Sequence, residues 1–446
     1  MIDVETLLHC RWVVPVIPRG LVLEDHAVAV DRGRIVDVLP SQEATSRYRS
    51  REAVRLDHHV LTPGFVNAHT HAAMTLLRGV GDDLPLMRWL TERIWPLERA
   101  LVSPEFVYDG GRLAALEMLR SGTTCASDMY FYPEASVRAF RSLGMRVVAG
   151  IIAIEFPTAY ASDAEDYLRK GLAARDSLRD DPLVSFTLAP HAPYTVSDAT
   201  LQRIAVLADE LDLPIHTHVH ETDDEVRRSV AQYGCRPLGR LDRLGLVSER
   251  LIAVHAVHLD DGEIGLLAER GASIAHCPAS NLKLGSGIAP IAQAAAAGVN
   301  LALGTDGAAS NNRVDMLSEL RLAALLAKGA AEDASVVAAP AVLEAATLGG
   351  AQALGLRDRI GSIESGKEAD LVAFDLALPE AQPLYDVISH LVYSAGREQV
   401  SDVWVAGRRV VQGRQVLPAS AHADLMPNVG AWQNRCRQVL LTAGAS

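Results

Sequence analysis

Apolar residues recur along this chain in short runs that are separated by polar segments. In the middle of the chain, eight such runs alternate with segments in which apolar residues follow the helical period. The runs occupy residues 63–69, 123–128, 146–152, 184–190, 213–219, 251–257, 272–277 and 300–305. Helical patterns between them include residues 103–120, 197–211, 261–270 and 313–328. Runs that are apolar throughout fit parallel strands buried on both faces, so the pattern predicts eight consecutive βα units.

Two α/β architectures alternate strands and helices in this way, a TIM (β/α)8 barrel and an open doubly wound sheet. The dinucleotide-binding form of the open sheet needs a G-x-G-x-x-G turn after its first strand. No such turn follows residues 63–69. Eight units over this length are typical of the barrel, which we therefore predict.

Both ends of the chain show a different pattern, in which short β runs alternate with glycine turns. Near the N-terminus, two runs flank Asp31-Arg32-Gly33, which is a hairpin signal. Similar runs return at residues 370–375 and 403–411. We predict a small β-sandwich-like domain built from both termini. The predicted division is residues 1–61 and 363–420 for this domain, 62–362 for the barrel, and 421–446 for a tail containing a helix.

Charge and composition exclude several classes of protein. The 446 residues carry a net charge of −13 and include only four lysines, which argues against a nucleic-acid or anionic-membrane partner. The N-terminus lacks the basic region of a secretion signal, and no apolar stretch approaches the roughly 20 residues that span a bilayer. The five cysteines are scattered and form no CxxC pair. We expect a soluble cytoplasmic protein.

Polar residues collect where the predicted strands end, which is where barrels place their chemistry. These residues are His69, His71, Asp128, His191, His218, Glu221, His255 and Asp306. The first two are spaced i, i+2, so a strand would place both imidazoles on one face. Buried neutral imidazoles side by side need a partner, and a divalent metal is the usual one.

The fifth run offers three histidines on one face, His216, His218 and His220. We expect His218 to bind the metal, with His216 deeper in the barrel and His220 at its rim. Glu221 is expected just beyond the strand, beside the metal. Together with Asp306, three histidines and a carboxylate would leave one position open for water. One metal is expected, because the fourth run contains no lysine that could be carboxylated to bridge two.

These motifs resemble the amidohydrolase superfamily over essentially the whole chain. The matching segments are Pro63-Gly-Phe-Val-Asn-Ala-His69-Thr-His71, His218-Val-His-Glu221-Thr, Val254-His255-Ala-Val-His and Gly304-Thr-Asp306-Gly-Ala-Ala-Ser. More narrowly, three segments resemble the 5-methylthioadenosine/S-adenosylhomocysteine deaminases. They are Leu86-Met-Arg-Trp89-Leu, Ile94-Trp-Pro-Leu-Glu98 and Ala189-Pro-His191-Ala-Pro-Tyr. Triazine hydrolases and guanine deaminases share parts of these segments.

The resemblance implies one divalent metal per chain, zinc in the first place, with Fe²⁺ or Mn²⁺ as alternatives. It implies hydrolytic removal of the 6-amino group of an adenine nucleoside such as 5′-methylthioadenosine, adenosine or S-adenosylhomocysteine. The implied metal ligands are His69, His71, His218 and Asp306. The implied catalytic residues are Glu221, which would face the purine N1, and His255 and Asp306, which would deprotonate the water. The implied substrate-binding residues are Trp89, Glu98 on the ribose hydroxyls, His191 and Glu221.

One departure from the family pattern concerns specificity. Homocysteine-binding members use arginines after the third strand, and residues 151–168 contain none. We therefore expect 5′-methylthioadenosine to be preferred over S-adenosylhomocysteine. The alternatives are a hydrolase of another aminated ring (guanine, cytosine or a triazine) and a metal-free scaffold, although no ligand is missing. We further expect a homo-oligomer, either a dimer or a tetramer.

Overall fold

The computed structural model describes residues 1–443, in which two eight-stranded sheets account for all the strands. The strands are β1 Ile2–Val13, β2 Leu23–Asp31, β3 Arg34–Pro40, β4 Tyr48–Pro63, β5 Phe65–Thr70, β6 Thr123–Asp128, β7 Arg146–Ala153, β8 Val184–Pro190, β9 Ile215–Val219, β10 Leu251–His255, β11 Ser273–His276, β12 Asn300–Leu303, β13 Leu371–Asp375, β14 Val400–Val405, β15 Arg408–Gln412 and β16 Gln415–Val416.

Helices follow most of the central strands. The α-helices are α1 Ser41–Arg47, α2 Leu86–Trp89, α3 Trp95–Leu101, α4 Pro104–Arg120, α5 Pro133–Ser142, α6 Ala164–Leu178, α7 Asp198–Leu211, α8 Asp223–Tyr233, α9 Pro237–Arg243, α10 Asp261–Glu269, α11 Pro278–Lys283, α12 Ile291–Ala296, α13 Ala308–Asn311, α14 Met316–Ala331, α15 Ala339–Glu344, α16 Gly350–Ala353, α17 Val387–Tyr393 and α18 Ala421–Ala443. Seven of them begin where a side chain accepts a backbone N–H of the first turn. These N-cap residues are Ser103, Asp163, Ser197, Thr222, Asp260, Asp315 and Asp386.

Strands β5 to β12 pair in chain order, each parallel to the next, so the predicted barrel is confirmed. All eight predicted runs are strands, with small differences at their ends. Strand β9 begins at Ile215 rather than at residue 213, since Pro214 has no N–H to donate. Strand β10 ends at His255, where φ turns positive (+69°) and breaks the extended conformation.

The barrel closes where the loop after β12 meets β5. The backbone N–H of Asp306 donates to the carbonyl of His69 at 3.0 Å. The Asn67 side chain accepts from the Thr305 N–H at 3.0 Å and donates to the Thr305 hydroxyl at 2.7 Å. A Cβ atom on Gly304 would lie 3.0 Å from the His69 backbone nitrogen, so this close approach requires glycine.

The second sheet comes from both ends of the chain, as predicted. Its strand order is β16-β15-β14-β13-β4-β1-β2-β3, in one continuous hydrogen-bonded series. Strand β4 joins the two ends, because it pairs with β1 in parallel and with β13 in antiparallel orientation. Strand β4 continues to Pro63, past the predicted boundary at residue 61. The division into domains otherwise remains a prediction.

The predicted C-terminal helix is α18, and residues 444–446 of the predicted tail lie outside the described residues. The helix is fastened to α4 by polar and aromatic contacts. The Trp432 indole N–H donates to the Asp109 carboxylate at 2.9 Å, and its ring meets Phe106 edge-on at 5.2 Å. Within residues 1–443, no helix combines the length and apolar composition needed to cross a membrane.

A buried ion cluster joins the barrel to the second sheet. Arg146 at the start of β7 is 1% exposed and donates to Glu368 at 2.6 Å and to Asp370 at 3.0 Å. Asp370 also accepts the Ala406 backbone N–H at 2.7 Å. Burial alone would lower the pKa of Arg146, but the two carboxylates raise it above its usual value. The guanidinium therefore compensates two carboxylates that few water molecules can reach.

We predict that Arg146→Met lowers the free energy of unfolding by about 3–5 kcal/mol, because it leaves the buried Asp370 carboxylate without its counter-charge. Denaturant titration would measure the loss. The matched control is Arg49→Ala, which breaks an exposed pair with Asp3 and should change stability very little. Equal losses in the two variants would contradict the structural role of Arg146.

Candidate active site

A cavity of about 740 Å³ opens at the C-terminal ends of the barrel strands. Eight of the nine predicted site residues line it, namely His71, Trp89, Glu98, His191, His218, Glu221, His255 and Asp306. The ninth, His69, is fully buried directly behind them. The predicted constellation is therefore brought together at one end of the barrel.

His69 near the end of β5 and His71 directly after it face the carboxylate that follows β12. The Nε2 atoms of both histidines lie 3.3 Å from the Asp306 Oδ1 atom. Nitrogens of His69, His218 and His255 also approach one another, within 4.8 Å. The five side chains thus point polar atoms at one small region.

The orientation of two of these imidazoles is fixed by backbone carbonyls. The Nδ1 atom of His71 lies 2.6 Å from the Met129 carbonyl, and Nδ1 of His218 lies 2.6 Å from the His191 carbonyl. A carbonyl oxygen can only accept, so each Nδ1 carries the hydrogen and each Nε2 keeps its lone pair. Burial lowers the pKa of His69 to about 4 and holds that of His218 well below its usual value. His69 and His218 are therefore neutral at pH 7.

Asp306 is held as an anion in a turn with φ of +57°. Its Oδ2 atom accepts the hydroxyls of Ser280 and Ser310, each at 2.6 Å, and its Oδ1 accepts the Gly307 N–H at 2.8 Å. Burial alone would raise the pKa of Asp306, but its surroundings hold that pKa well below its usual range, and the two hydroxyls and the N–H favour the ionised form. The site therefore contains one ionised carboxylate beside the neutral imidazoles of His69 and His218.

Glu221 has the opposite environment. Its side chain is 7% exposed, and within residues 1–443 no hydrogen bond to its carboxyl group is formed. Nε2 of His255 lies 3.9 Å from its Oε1 atom. Burial raises the pKa of Glu221. Its backbone is held in place by Glu225, whose carboxylate accepts the Glu221 N–H at 2.8 Å.

His220 is not at the rim of the barrel, contrary to the prediction. It is fully buried, and its Nε2 accepts the Leu238 N–H at 3.1 Å. The reason is that β9 ends at Val219 and His220 has φ of +56°, so the alternation of the strand stops there. The same turn directs the following Glu221 into the cavity.

The predicted nucleoside-binding residues line one side of the cavity. Glu98 on α3 accepts the Tyr130 hydroxyl at 2.6 Å, and burial raises the pKa of its carboxyl group. Trp89 on α2 is buried and donates its indole N–H to the Val80 carbonyl at 3.2 Å. The ring of His191 lies 4.9 Å from that of His218.

The remaining wall is mainly apolar. It is lined by Leu86, Leu90, Ile94, Trp95, Val102, Phe131, Ile152, Ile154 and Phe156, among others. The segment after β7 contributes no arginine, as predicted. However, Arg99 on α3 also lines the cavity, and it is the only lysine or arginine among the described residues that do so. No motif in the sequence indicates that this exposed helical arginine lines the cavity.

Several residues that hold the site together were not predicted to do so. His216 lies with its Nε2 atom 2.9 Å from Nδ1 of His69, and Asn281 Oδ1 lies 2.8 Å from Nδ1 of His255. Ser280 and Ser310 bind Asp306. The i, i+2 spacing of His216 and His218 is a signal for the first of these. Asn281 and the two serines lie in the short helices α11 and α13, where the sequence carries no comparable signal.

Comparison with known proteins places this architecture in one family. The model of the amidohydrolase family matches residues 60–410. A relative from Teredinibacter turnerae is 44% identical over 97% of this chain and 98% of its own length. Another, from Thermodesulfovibrio yellowstonii, is 44% identical over 91% of this chain and 93% of its own length. Both carry the name 5-methylthioadenosine/S-adenosylhomocysteine deaminase.

Solved structures of similar proteins agree with this family assignment. An adenosine deaminase from Xanthomonas campestris with bound zinc has 53% identity and a TM-score of 0.96, covering 98% of this chain and 99% of that one. An atrazine chlorohydrolase mutant from Arthrobacter aurescens, complexed with zinc and atraton, has 25% identity and a TM-score of 0.87, covering 96% and 100%. The predicted resemblance is confirmed, and the chain belongs to the amidohydrolase family.

Proposed function

We propose that this protein hydrolyses the 6-amino group of an adenine nucleoside, with 5′-methylthioadenosine as its preferred substrate. The observation that carries the proposal is the pairing of an ionised Asp306 with a buried Glu221 of raised pKa in one largely apolar cavity. Ring deamination needs one group that accepts a proton from water and another that protonates the ring. The names of the relatives support the same activity.

The donor set fits a divalent metal. Nε2 of His69 is fully buried and has no hydrogen-bond partner within residues 1–443, although it lies 3.3 Å from an ionised carboxylate. A lone pair facing an anion at this distance is unfavourable unless a cation lies between them. We assign His69, His71, His218 and Asp306 as the ligands, a set of three nitrogens and one oxygen that suits zinc. When bound, such a metal lowers the pKa of a water molecule toward about 7.

Asp306 and His255 are the proposed acceptors for the proton of the attacking water. Nδ1 of His255 donates to Asn281 Oδ1 at 2.8 Å, so its Nε2 keeps the lone pair and faces the cavity. Asp306 Oδ1 faces the same region. Oxygen from water forms the new bond to C6 of the purine. One proton of that water then leaves with the amino group as ammonia.

Glu221 is the proposed proton donor to N1 of the purine. Burial raises its pKa, which favours the protonated carboxyl that this step requires. Protonation of N1 as the C6–oxygen bond forms prevents negative charge from building up on the ring. The second proton of water replaces the one donated, so the net products are the 6-oxo nucleoside and ammonia.

The other predicted residues would orient the nucleoside. Glu98 can accept both ribose hydroxyls, because the Tyr130 hydroxyl occupies only part of its capacity as an acceptor. Trp89 and His191 would pack against the nucleoside. The apolar wall around Ile94, Trp95 and Phe156 would bury an apolar 5′ group such as methylthio.

A substrate screen tests this assignment directly. Ammonia release would be measured with 5′-methylthioadenosine, adenosine, S-adenosylhomocysteine, guanine, cytosine and a triazine. We expect kcat/KM to be highest with 5′-methylthioadenosine. Activity only toward guanine, cytosine or the triazine would refute the proposal. We also propose a homo-oligomer, which light scattering would contradict if it gave the mass of one chain.

The first prediction concerns the ligands. His69→Ala or His218→Ala should lose both zinc and turnover, because the three remaining ligands hold the ion weakly. Zinc content by elemental analysis and ammonia release would be measured together. His276→Leu is the matched control, since His276 is a buried barrel histidine outside the proposed ligand set. Stoichiometric zinc with near-parental turnover in either alanine variant would refute the assignment.

The second prediction concerns Glu221. Glu221→Gln should retain zinc but lose turnover by about 10²–10⁴-fold, because an amide of the same shape cannot donate the proton. Zinc content serves as the internal control for folding of the site. A loss below tenfold would remove Glu221 from the mechanism.

The third prediction concerns the 5′ group. The apolar wall should bury the methylthio group. The carboxylate of S-adenosylhomocysteine would find no arginine in the segment after β7 to bind it. A charge-assisted hydrogen bond is worth roughly 1.5–3 kcal/mol, or about ten- to a hundredfold in affinity. We therefore expect kcat/KM for 5′-methylthioadenosine to be higher by at least about tenfold.

Arg99 provides the discriminating variant for this third prediction. Equal kcat/KM values for the two substrates in the parent enzyme would contradict the expected preference. If Arg99→Gln then lost activity only toward S-adenosylhomocysteine, Arg99 would be identified as the carboxylate partner. This variant removes the charge and keeps a polar side chain at position 99.

A further inference from the structure

His216 makes a contact with the proposed metal site that the deamination chemistry does not use. Its Nε2 atom lies 2.9 Å from Nδ1 of His69, and both residues are 0% exposed. The two rings meet edge-on, with centroids 4.9 Å apart and planes at 85°. On its far side, Nδ1 of His216 lies 3.3 Å from the Ser127 hydroxyl. His69 of β5, His216 of β9 and Ser127 of β6 therefore form one buried series of hydrogen bonds.

The direction of the hydrogen bonds in this series follows from its end at His69, which faces the proposed metal site. For His71 and His218, a backbone carbonyl requires the hydrogen on Nδ1. His69 has no such carbonyl, and an imidazole nitrogen can either donate or accept. If Nε2 of His69 is a ligand, it must carry the lone pair, and its Nδ1 must then donate to His216. Nδ1 of His216 in turn donates to Ser127.

We propose that His216 is a positioning residue that fixes the tautomer and the ring orientation of His69 for metal binding. It takes the place that a backbone carbonyl takes for the other two histidines. The inference rests on the ligand set of the proposed function. Loss of such an outer partner typically weakens metal affinity about 10–100-fold.

The β9 strand explains why a histidine can do this. His216 and His218 are two residues apart and therefore project to the same side of the strand, at successive depths in the barrel. His218 reaches the cavity, whereas His216 lies one level deeper, beside the buried His69. A carbonyl cannot reach the interior at this depth, because strand carbonyls are engaged in the ladder. A side chain must supply the acceptor.

The test compares two substitutions at position 216. His216→Gln retains an acceptor close to the position of Nε2, whereas His216→Leu has similar bulk and no acceptor. Zinc dissociation constants would be measured by competition with a chromophoric chelator, independently of turnover. We expect His216→Leu to bind zinc about 10–100-fold more weakly than the parent, and His216→Gln to remain within severalfold of it.

Two further variants keep the test decisive. His276→Leu removes another buried histidine that makes no hydrogen bond to His69, and it should leave the zinc affinity unchanged. Ser127→Ala leaves His216 in place and removes only its outer partner. It should weaken zinc binding in the same direction but by less, and it remains informative if His216→Leu does not fold.

Three results would overturn the inference. Parental zinc affinity in both His216→Leu and Ser127→Ala would show that this series of hydrogen bonds does not hold His69 in position for metal binding. Equal weakening in His216→Gln and His216→Leu would assign the effect to packing rather than to hydrogen bonding. Equal weakening of zinc binding in His276→Leu would show that the effect is not specific to His216. Failure of the ligand set itself is recognised separately, because His69→Ala would then retain zinc.

Discussion

The site depends on the closure of the barrel between its first and last strands. Asp306 donates its N–H to the carbonyl of His69, and Asn67 and Thr305 pair through their side chains beside this bond. Only a glycine at position 304 allows the two segments to approach this closely. Residues more than two hundred positions apart in sequence thereby present an imidazole and a carboxylate to each other at 3.3 Å. Without this closure, the histidines of β5 would have no anion opposite them.

Much of the fold could be predicted because a parallel barrel imposes a simple pattern. Strands buried on both faces are apolar throughout, so they stand out against amphipathic helices. The predicted strand ends were also informative, since a polar residue at the end of an apolar strand points into the cavity. His218 and Asp306 are recognised in this way. Strand ends were less accurate where proline or positive φ intervenes, as at Pro214 and His255.

The parts of the site that the sequence did not reveal depend on contacts between distant loops. The carbonyls of Met129 and His191 fix two imidazoles, yet every residue has a carbonyl, so no residue type marks this role. His220 continues the spacing of His216 and His218, but a single backbone turn removes it from their face. Arg99 reaches the cavity from a helix that covers it, and a helical period alone does not say which arginine faces a ligand.

Asp306 and Glu221 line the same cavity, yet their surroundings shift the pKa values of their carboxyl groups in opposite directions. Two hydroxyls and a backbone N–H donate to Asp306, and each of them stabilises the anion. No donor reaches the Glu221 carboxyl group within residues 1–443, so burial raises its pKa without opposition from hydrogen bonds. A hydroxyl placed beside Glu221 would stabilise its anion and remove the proton that the ring nitrogen requires. The lack of donors around Glu221 is therefore as necessary to the proposed chemistry as the two serines are around Asp306.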